Sequence, residues 1–240
     1  MEIIDAISKW IKDQVEQAGA EGIVVGLSGG IDSAVVAALA KRSLKDKVLG
    51  LILPCHSQKK DAEDANLIAS HLQLETCTVS LNATYDSLIA ILPSADKNIT
   101  ANIKPRLRMI NLYYFASLKN YLVAGTGNKS EISVGYFTKY GDGGTDILPL
   151  GDLLKSQVRE IAEKLALPEV IINKPPSAGL WSGQTDEAEL KLTYKQLDQA
   201  ISNITPDSGK GTPPEIQSRV KELIKNSEHK RAPIPTFKNR

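Results

Sequence analysis

Short, unbroken apolar runs alternate along this chain with longer stretches that repeat their apolar residues at helical spacing. Residues 22–27 read Gly-Ile-Val-Val-Gly-Leu, and residues 48–53 read Val-Leu-Gly-Leu-Ile-Leu before Pro54. Runs of this length predict strands buried on both faces. A third strand, of alternating character, is predicted at 75–81, and a fourth at 121–125. Residues 2–18 place Ile3, Ile4, Ile7, Trp10, Ile11 and Val15 on one stripe, which predicts a helix packed on the core. Further helices are predicted at 33–43, 61–72, 82–92, 103–118 and 156–165. In the helix at 103–118, Leu107, Ile110, Tyr114 and Leu118 share a side. Residues 93–102 read as loop, 126–145 as a polar, glycine-rich stretch, and 174–185 as a loop rich in Pro, Ser and Gly. Two or three short helices are expected to finish the chain, with no internal repeat or low-complexity segment.

Strands that alternate with helices predict an α/β fold with a doubly wound parallel sheet and right-handed crossovers. In such a sheet, ligands bind beyond the carboxyl ends of the strands, where strand order reverses. With the fourth strand beside the first, the loops at 28–33 and 126–131 face one crevice. The expected organisation is a single domain over 1–240, with a core at about 20–170 and C-terminal helices and tail at about 186–240.

The first of those loops carries the chain's main chemical signal. Gly26-Leu27-Ser28-Gly29-Gly30-Ile31-Asp32-Ser33 joins a buried strand to an Ala-rich helix. Glycines there let the backbone approach an anion closely, and the helix start offers free N–H groups and a partial positive charge. Ser28 and Ser33 add hydroxyls. Asp32, in the first helical turn, adds a carboxylate suited to Mg²⁺. The loop lacks the lysine of G-x-x-x-x-G-K-[ST] and the spacing of G-x-G-x-x-G. The string S-G-G-x-D-S resembles the PP-loop of the ATP pyrophosphatases.

Composition narrows the classes. The 240 residues carry a net charge of +1, which argues against nucleic acid as the main partner. The cysteines, Cys55 and Cys77, offer neither a disulfide framework nor a metal spacing and are expected to be buried or half-buried thiols. No apolar run is long enough to span a membrane, and the start, with Glu2 and Asp5, is acidic and amphipathic rather than a signal peptide. The expected location is the cytoplasm.

Further strings follow in order: Asn102-Ile103-Lys104-Pro105-Arg106-Leu107-Arg108-Met109, Gly125-Thr126-Gly127-Asn128-Lys129-Ser130-Glu131, Gly135-Tyr136-Phe137-Thr138-Lys139-Tyr140-Gly141-Asp142-Gly143-Gly144-Thr145-Asp146, Lys174-Pro175-Pro176-Ser177-Ala178-Gly179-Leu180, Thr185-Asp186-Glu187 and Glu228-His229-Lys230-Arg231. Together with the turn they span most of the chain and resemble the NAD synthetase family. The resemblance implies a ligase that amidates deamido-NAD⁺ with ammonia, consuming ATP and releasing AMP and pyrophosphate. It implies that Gly26, Leu27, Ser28, Gly29, Gly30, Ile31, Asp32 and Ser33 bind ATP phosphates, with Thr126, Lys155 and Ser177 as further ATP contacts. Asp32 and Glu131 would hold Mg²⁺. Arg106, Tyr113, Lys139, Asp146, His229 and Lys230 would contact deamido-NAD⁺, and Asp142 would orient or deprotonate ammonium. Of the two arginines on that helix, Arg106 is the expected ligand and Arg108 is read as solvated. Family members that use glutamine carry an added amidase domain. Here the turn begins near residue 26, so free ammonia is the expected donor, with a separate glutaminase chain left open as its source. The family's homodimers place the dinucleotide site at the subunit boundary, which makes 2–18 and 103–118 candidate interface helices. The loops at 93–102, 138–146 and 174–185 are candidate lids.

Two other classes fit the turn alone. One is another PP-loop enzyme, such as a tRNA modifier, against which the near-neutral charge and the two cysteines argue. The other is a non-catalytic nucleotide-binding regulator, for which the paired carboxylates and polar loops are excessive.

Overall fold

A computed structural model describes residues 2–181, 183–203 and 211–238. The chain opens with α1 (Ile3–Gln17), β1 (Gly22–Gly26), α2 (Ile31–Leu44), β2 (Val48–Ile52), α3 (Lys59–Leu72) and β3 (Glu75–Thr78). It continues through α4 (Asn82–Ile91), α5 (Lys97–Ala101), α6 (Ile103–Lys119), β4 (Tyr121–Ala124) and α7 (Lys129–Val134). Then come α8 (Lys155–Lys164), α9 (Glu169–Ile172), α10 (Asp186–Leu190), α11 (Tyr194–Ser202), α12 (Pro214–Asn226) and α13 (Glu228–Arg231).

The strands form one parallel sheet in the order β3-β2-β1-β4. The fourth strand does lie beside the first, so order reverses between β1 and β4, and the carboxyl ends of both strands open on one crevice. Strand periodicity divides the core into two layers. Val48 and Ile52 of β2 join Ile23 and Val25 of β1 against α1, α2, α3 and α8. Leu49, Leu51 and Val24 turn the other way, toward Leu107 and Ala116 of α6. A third, smaller cluster packs Val134 of α7 with Leu190, Leu197, Ala200 and Val220 from the C-terminal helices.

The expected elements recur with local differences. β3 is an edge strand that ends at Thr78, short of residue 81, and its residues are mostly exposed. Residues 97–101, expected as loop, form the single-turn α5, too short to show a helical period. Four helices, rather than two or three, follow residue 185 among the described residues. Cys55 is buried and Cys77 half-buried, as expected. The stripe on α6 is split. Leu107 is buried, whereas Ile110, Tyr114 and Leu118 are 57%, 64% and 66% exposed. The helix instead packs inward through Leu107, Leu112, Tyr113, Phe115 and Ala116, so the predicted apolar side faces out.

The C-terminal helices are tied to the core by Asp198 of α11. Its carboxylate accepts from Ser130 Oγ of α7 and from the Ser156 N–H of α8 at 2.9 Å. Ser130 is fully buried, and its Oγ in turn accepts from the Lys155 N–H at 3.0 Å. Asp198→Ala should strand these donors and cost roughly 3 kcal/mol of stability. Urea denaturation checks this, and a loss under about 1 kcal/mol would remove Asp198 from that role.

Candidate active site

The turn after β1 is shaped by its own hydroxyls. Ser33 Oγ donates to the Gly30 carbonyl at 2.9 Å and accepts from the Ser28 N–H at 3.3 Å, and Ser28 Oγ accepts from the Gly30 N–H at 3.2 Å. Ser33 is buried, so its hydroxyl shapes the loop rather than facing a ligand. Gly30 is the N-cap of α2 and no side chain caps the helix. The first-turn N–H groups are thus left for an anion. Gly29 stands at φ 76°, and a Cβ there would lie 2.5 Å from the Asp61 carbonyl. Only glycine meets both demands without strain.

Lys174, the first residue of the loop at 174–185, holds this turn from behind. Its Nζ donates to the Gly29 carbonyl at 3.2 Å, Asp61 Oδ1 at 2.9 Å and Asp64 Oδ2 at 2.8 Å. Burial opposes both charges, but the pairing outweighs it. The lysine is shifted up and the Asp64 carboxyl down.

Asp32 and Glu131 meet across the crevice at Lys155. Its Nζ lies 2.5 Å from Asp32 Oδ2 and 3.0 Å from Glu131 Oε1. A capping box at the start of α7 sets Glu131: Asn128 Oδ1 accepts from the Glu131 N–H at 3.1 Å, and Glu131 Oε2 accepts from the Asn128 N–H. Asn128 Nδ2 also donates to Asp32 Oδ1 at 2.9 Å, so one buried amide orients both carboxylates. From α11, the Tyr194 hydroxyl lies 2.8 Å from Asp186 Oδ2 and 3.1 Å from Glu131 Oε1, and its ring lies 5.0 Å from Lys155 Nζ. A phenol has one proton to give, so Tyr194 can donate fully to only one of these carboxylates at a time. Burial, helped by Asp32, pushes Glu131 up to about 7 against the pull of Lys155. Burial lowers the charge preference of Lys155, yet the two carboxylates outweigh it and shift the ammonium up. Acid exceeds base in this cluster, and its donors are convergent oxygens. Oxygen donors of this kind fit a hard cation such as Mg²⁺, which Asp32 and Glu131 would hold.

These groups line a cavity of about 810 Å³. Of the sequence-predicted residues, Gly26, Leu27, Ser28, Gly30, Ile31, Asp32, Thr126, Glu131, Asp142, Lys155, Ser177 and Lys230 border it. Gly29 and Ser33 lie behind the wall. The Asp142 carboxylate accepts from the Thr138 N–H at 2.9 Å, and surrounding protein pushes its pKa up. Ser177 Oγ donates to the Gln184 carbonyl at 2.7 Å and accepts from the Gly179 N–H, so this hydroxyl first closes its own loop. Lys230 donates to the carbonyls of Gly135 and Phe137 at 2.7 and 2.8 Å.

Arg106, Tyr113, Lys139, Asp146 and His229 form a second group outside the cavity lining. Arg106 donates to the Asn102 and Lys139 carbonyls, and Lys139 Nζ donates to the His229 carbonyl at 2.6 Å. The Tyr113 hydroxyl donates to Asp146 Oδ1 at 3.0 Å, and burial with that partner holds the phenol up at about 12. Asp146 Oδ2 also accepts from the Val123 N–H. The structure therefore separates most of the expected ATP and metal residues, which line the cavity, from most of the expected dinucleotide residues, which do not.

The family model described as NAD synthase matches residues 3–234. The chain belongs to the NAD synthase family. It is 49% identical over 232 residues to a protein named NH(3)-dependent NAD(+) synthetase from Carboxydothermus hydrogenoformans, covering 95% of this chain and 93% of that one. Among solved structures it is similar to the NMN synthetase of Francisella tularensis, at 40% identity with a TM-score of 0.91 over 98% of both chains. It also resembles an NH3-dependent NAD synthetase from Campylobacter jejuni in complex with the nitrate ion, at 31% identity with a TM-score of 0.87 over 99% of this chain and 100% of that chain. NAD synthase membership and the parallel sheet agree with the α/β expectation.

Beyond the residues expected of a NAD synthase, the structure adds Lys174, Asn128, Asp186 and Tyr194 to the site. The first three stand in the strings quoted from the sequence. Tyr194 had no signal: it arrives from a helix 63 residues beyond Glu131. Because the Glu131 pKa is raised from 4.5 to about 7, the native state binds its proton more tightly than the unfolded chain does. The stabilisation is present below about pH 4.5 and is lost as pH rises through about 7. Without divalent metal, wild type should therefore lose stability relative to Glu131→Gln across that window. Thermal melts of both proteins read the difference, and parallel curves would contradict the raised pKa.

Proposed function

We propose that this chain joins ammonia to the nicotinate carboxylate of deamido-NAD⁺ at the expense of ATP, giving NAD⁺, AMP and pyrophosphate. The observation that carries the reading is the meeting of Asp32, Glu131 and Lys155 above an uncapped helix start. A carboxylate accepts ammonia poorly until one of its oxygens is made a good leaving group. In the first step a carboxylate oxygen attacks the α-phosphorus, and the bond to the β-phosphate oxygen breaks. The turn at 26–33 holds the departing pyrophosphate through first-turn N–H groups, and Lys155 supplies positive charge beside it. Catalysis of this kind rests on positioning and charge stabilisation. Asp32 and Glu131 would hold Mg²⁺, which when bound would supply further charge neutralisation. In the second step ammonia attacks the acyl carbon, AMP departs and one proton is released. Asp142, on the cavity wall with a raised pKa, is placed to hold ammonium and take that proton.

Thr126 and Ser177 complete the ATP side, Ser177 after releasing Gln184. Arg106, Tyr113, Lys139, Asp146, His229 and Lys230 make the dinucleotide side. Most of these stand outside the cavity lining, and α6 exposes Ile110, Tyr114 and Leu118. Both features support a homodimer that completes the dinucleotide site across its boundary. The working unit is one domain, built from the sheet core and the C-terminal helices. Among the described residues, no helix is long and apolar enough to cross a membrane, and we place the enzyme in the cytoplasm.

Purified protein with MgATP, deamido-NAD⁺ and ammonium should yield AMP, pyrophosphate and NAD⁺ in equal amounts, with little product when glutamine replaces ammonium. ATP binding without AMP formation would overturn the reading. The likeness to an NMN synthetase makes nicotinate mononucleotide the second acceptor to assay. A higher kcat/KM for it than for deamido-NAD⁺ would move the chain to the mononucleotide reaction. Asp32→Ala should lower the rate on the order of 10²-fold or more, and undiminished pyrophosphate release would contradict its role. Lys139→Ala should raise KM for deamido-NAD⁺ far more than KM for ATP, and equal effects would remove it from the dinucleotide side.

A further inference from the structure

Five cationic side chains line the cavity: Lys60, Arg108, Lys155, Lys174 and Lys230. Four are engaged by the protein. Lys60 pairs with Asp64, Lys174 with Asp61 and Asp64, and Lys155 with Asp32 and Glu131. Lys230 donates to two backbone carbonyls.

Arg108 is different. It comes from α6, partly buried, and its Nε donates to the Leu53 carbonyl at 3.1 Å while its Nη2 donates to Ser57 Oγ at 3.2 Å. Both acceptors are neutral. A guanidinium has five N–H groups, and Nη1 has no acceptor among the described residues. No carboxylate there lies within ion-pair distance of Arg108 either. Asp142 and Asp61 act on its charge only from farther away, and burial disfavours that charge. A partly buried cation with no counter-ion gains from an arriving anion.

The position narrows the anion. Leu53 directly follows β2, and β2 pairs with β1, whose end carries the phosphate-binding turn. Arg108 thus borders the same crevice from the α6 layer, with one edge of its fork fixed and the other open. A guanidinium edge of this kind matches two oxygens of a phosphate.

We propose that Arg108 binds a phosphate group of a substrate through the open edge of its guanidinium. The inference rests on the proposed reaction only for the identity of the phosphates on offer, those of ATP and the pyrophosphate of the dinucleotide.

The test is equilibrium binding to wild type, Arg108→Gln and Arg108→Lys with ATP, AMP, adenosine and deamido-NAD⁺. Arg108→Gln should bind at least one phosphate-bearing ligand about ten-fold more weakly, equivalent to about 1.4 kcal/mol, and leave adenosine unchanged. Arg108→Lys, which keeps the charge without the fork, should fall between. A loss on ATP or AMP assigns the contact to the adenylate side, and a loss confined to deamido-NAD⁺ assigns it to the dinucleotide. Equal weakening of AMP and adenosine would mark a packing role and overturn the proposal, as would unchanged affinity for all three phosphate ligands. None of these measurements requires turnover. A wild type that shows this pattern but makes no NAD⁺ sinks the proposed reaction and leaves the Arg108 contact standing. An active wild type with an indifferent Arg108→Gln does the reverse.

Discussion

The ion triplet of Lys155 with Asp32 and Glu131 is the constraint on which the site depends. Three separate elements supply it: the start of α2, the start of α7 and the start of α8. Two carboxylates held near one another repel, and in a partly buried place neither ionises freely without a cation. Lys155 supplies that cation, and Asn128 and Tyr194 fix the geometry with hydrogen bonds. Asp32, Glu131 and Asp186 outnumber the one lysine here, and burial together with Asp32 holds the Glu131 carboxyl up against the pull of Lys155. Under the proposed reaction, a metal cation arriving with the phosphates of ATP would supply the positive charge this cluster lacks.

The rest of the fold can be followed outward from this point. Parallel pairing of β1 with both β2 and β4 brings the turn at 26–33 opposite the loop at 126–131. Lys174 braces the turn from the far side by gripping the Gly29 carbonyl and two aspartates of α3. The C-terminal helices are part of the site rather than an appendage, since Tyr194 touches Glu131 and Asp198 anchors both Ser130 and the start of α8. Phosphate chemistry and C-terminal packing are thereby coupled through a few buried polar groups.

What was legible in the sequence is what is local. Buried strands announce themselves as short apolar runs, and the turn, Thr126–Glu131 and Lys155 sit in strings whose spacing is fixed by a strand end or helix start. The place of the fourth strand beside the first entered the sequence reading as a condition, and the parallel pairing of β1 with β4 meets it. Contacts that join distant stretches carried no such sign. Tyr194 lies on a helix whose amphipathic pattern speaks only of packing, and nothing local links it to Glu131. On α6, an apolar stripe looks the same in sequence whether it faces a core or the surface, and Ile110, Tyr114 and Leu118 turned outward. Arg106 and Arg108 stand two residues apart, and only the three-dimensional structure separates an arginine outside the cavity lining, bound to carbonyls, from one that lines it.

The central claim is that the triplet grips a leaving pyrophosphate before ammonia takes part. Isotope exchange between labelled pyrophosphate and ATP tests it most directly, with deamido-NAD⁺ and Mg²⁺ present and ammonium absent. Exchange should occur, should require the dinucleotide, and should fall by about 10² or more in Lys155→Met. Exchange that appears only when ammonium is added, or that survives undiminished in Lys155→Met, would contradict the account.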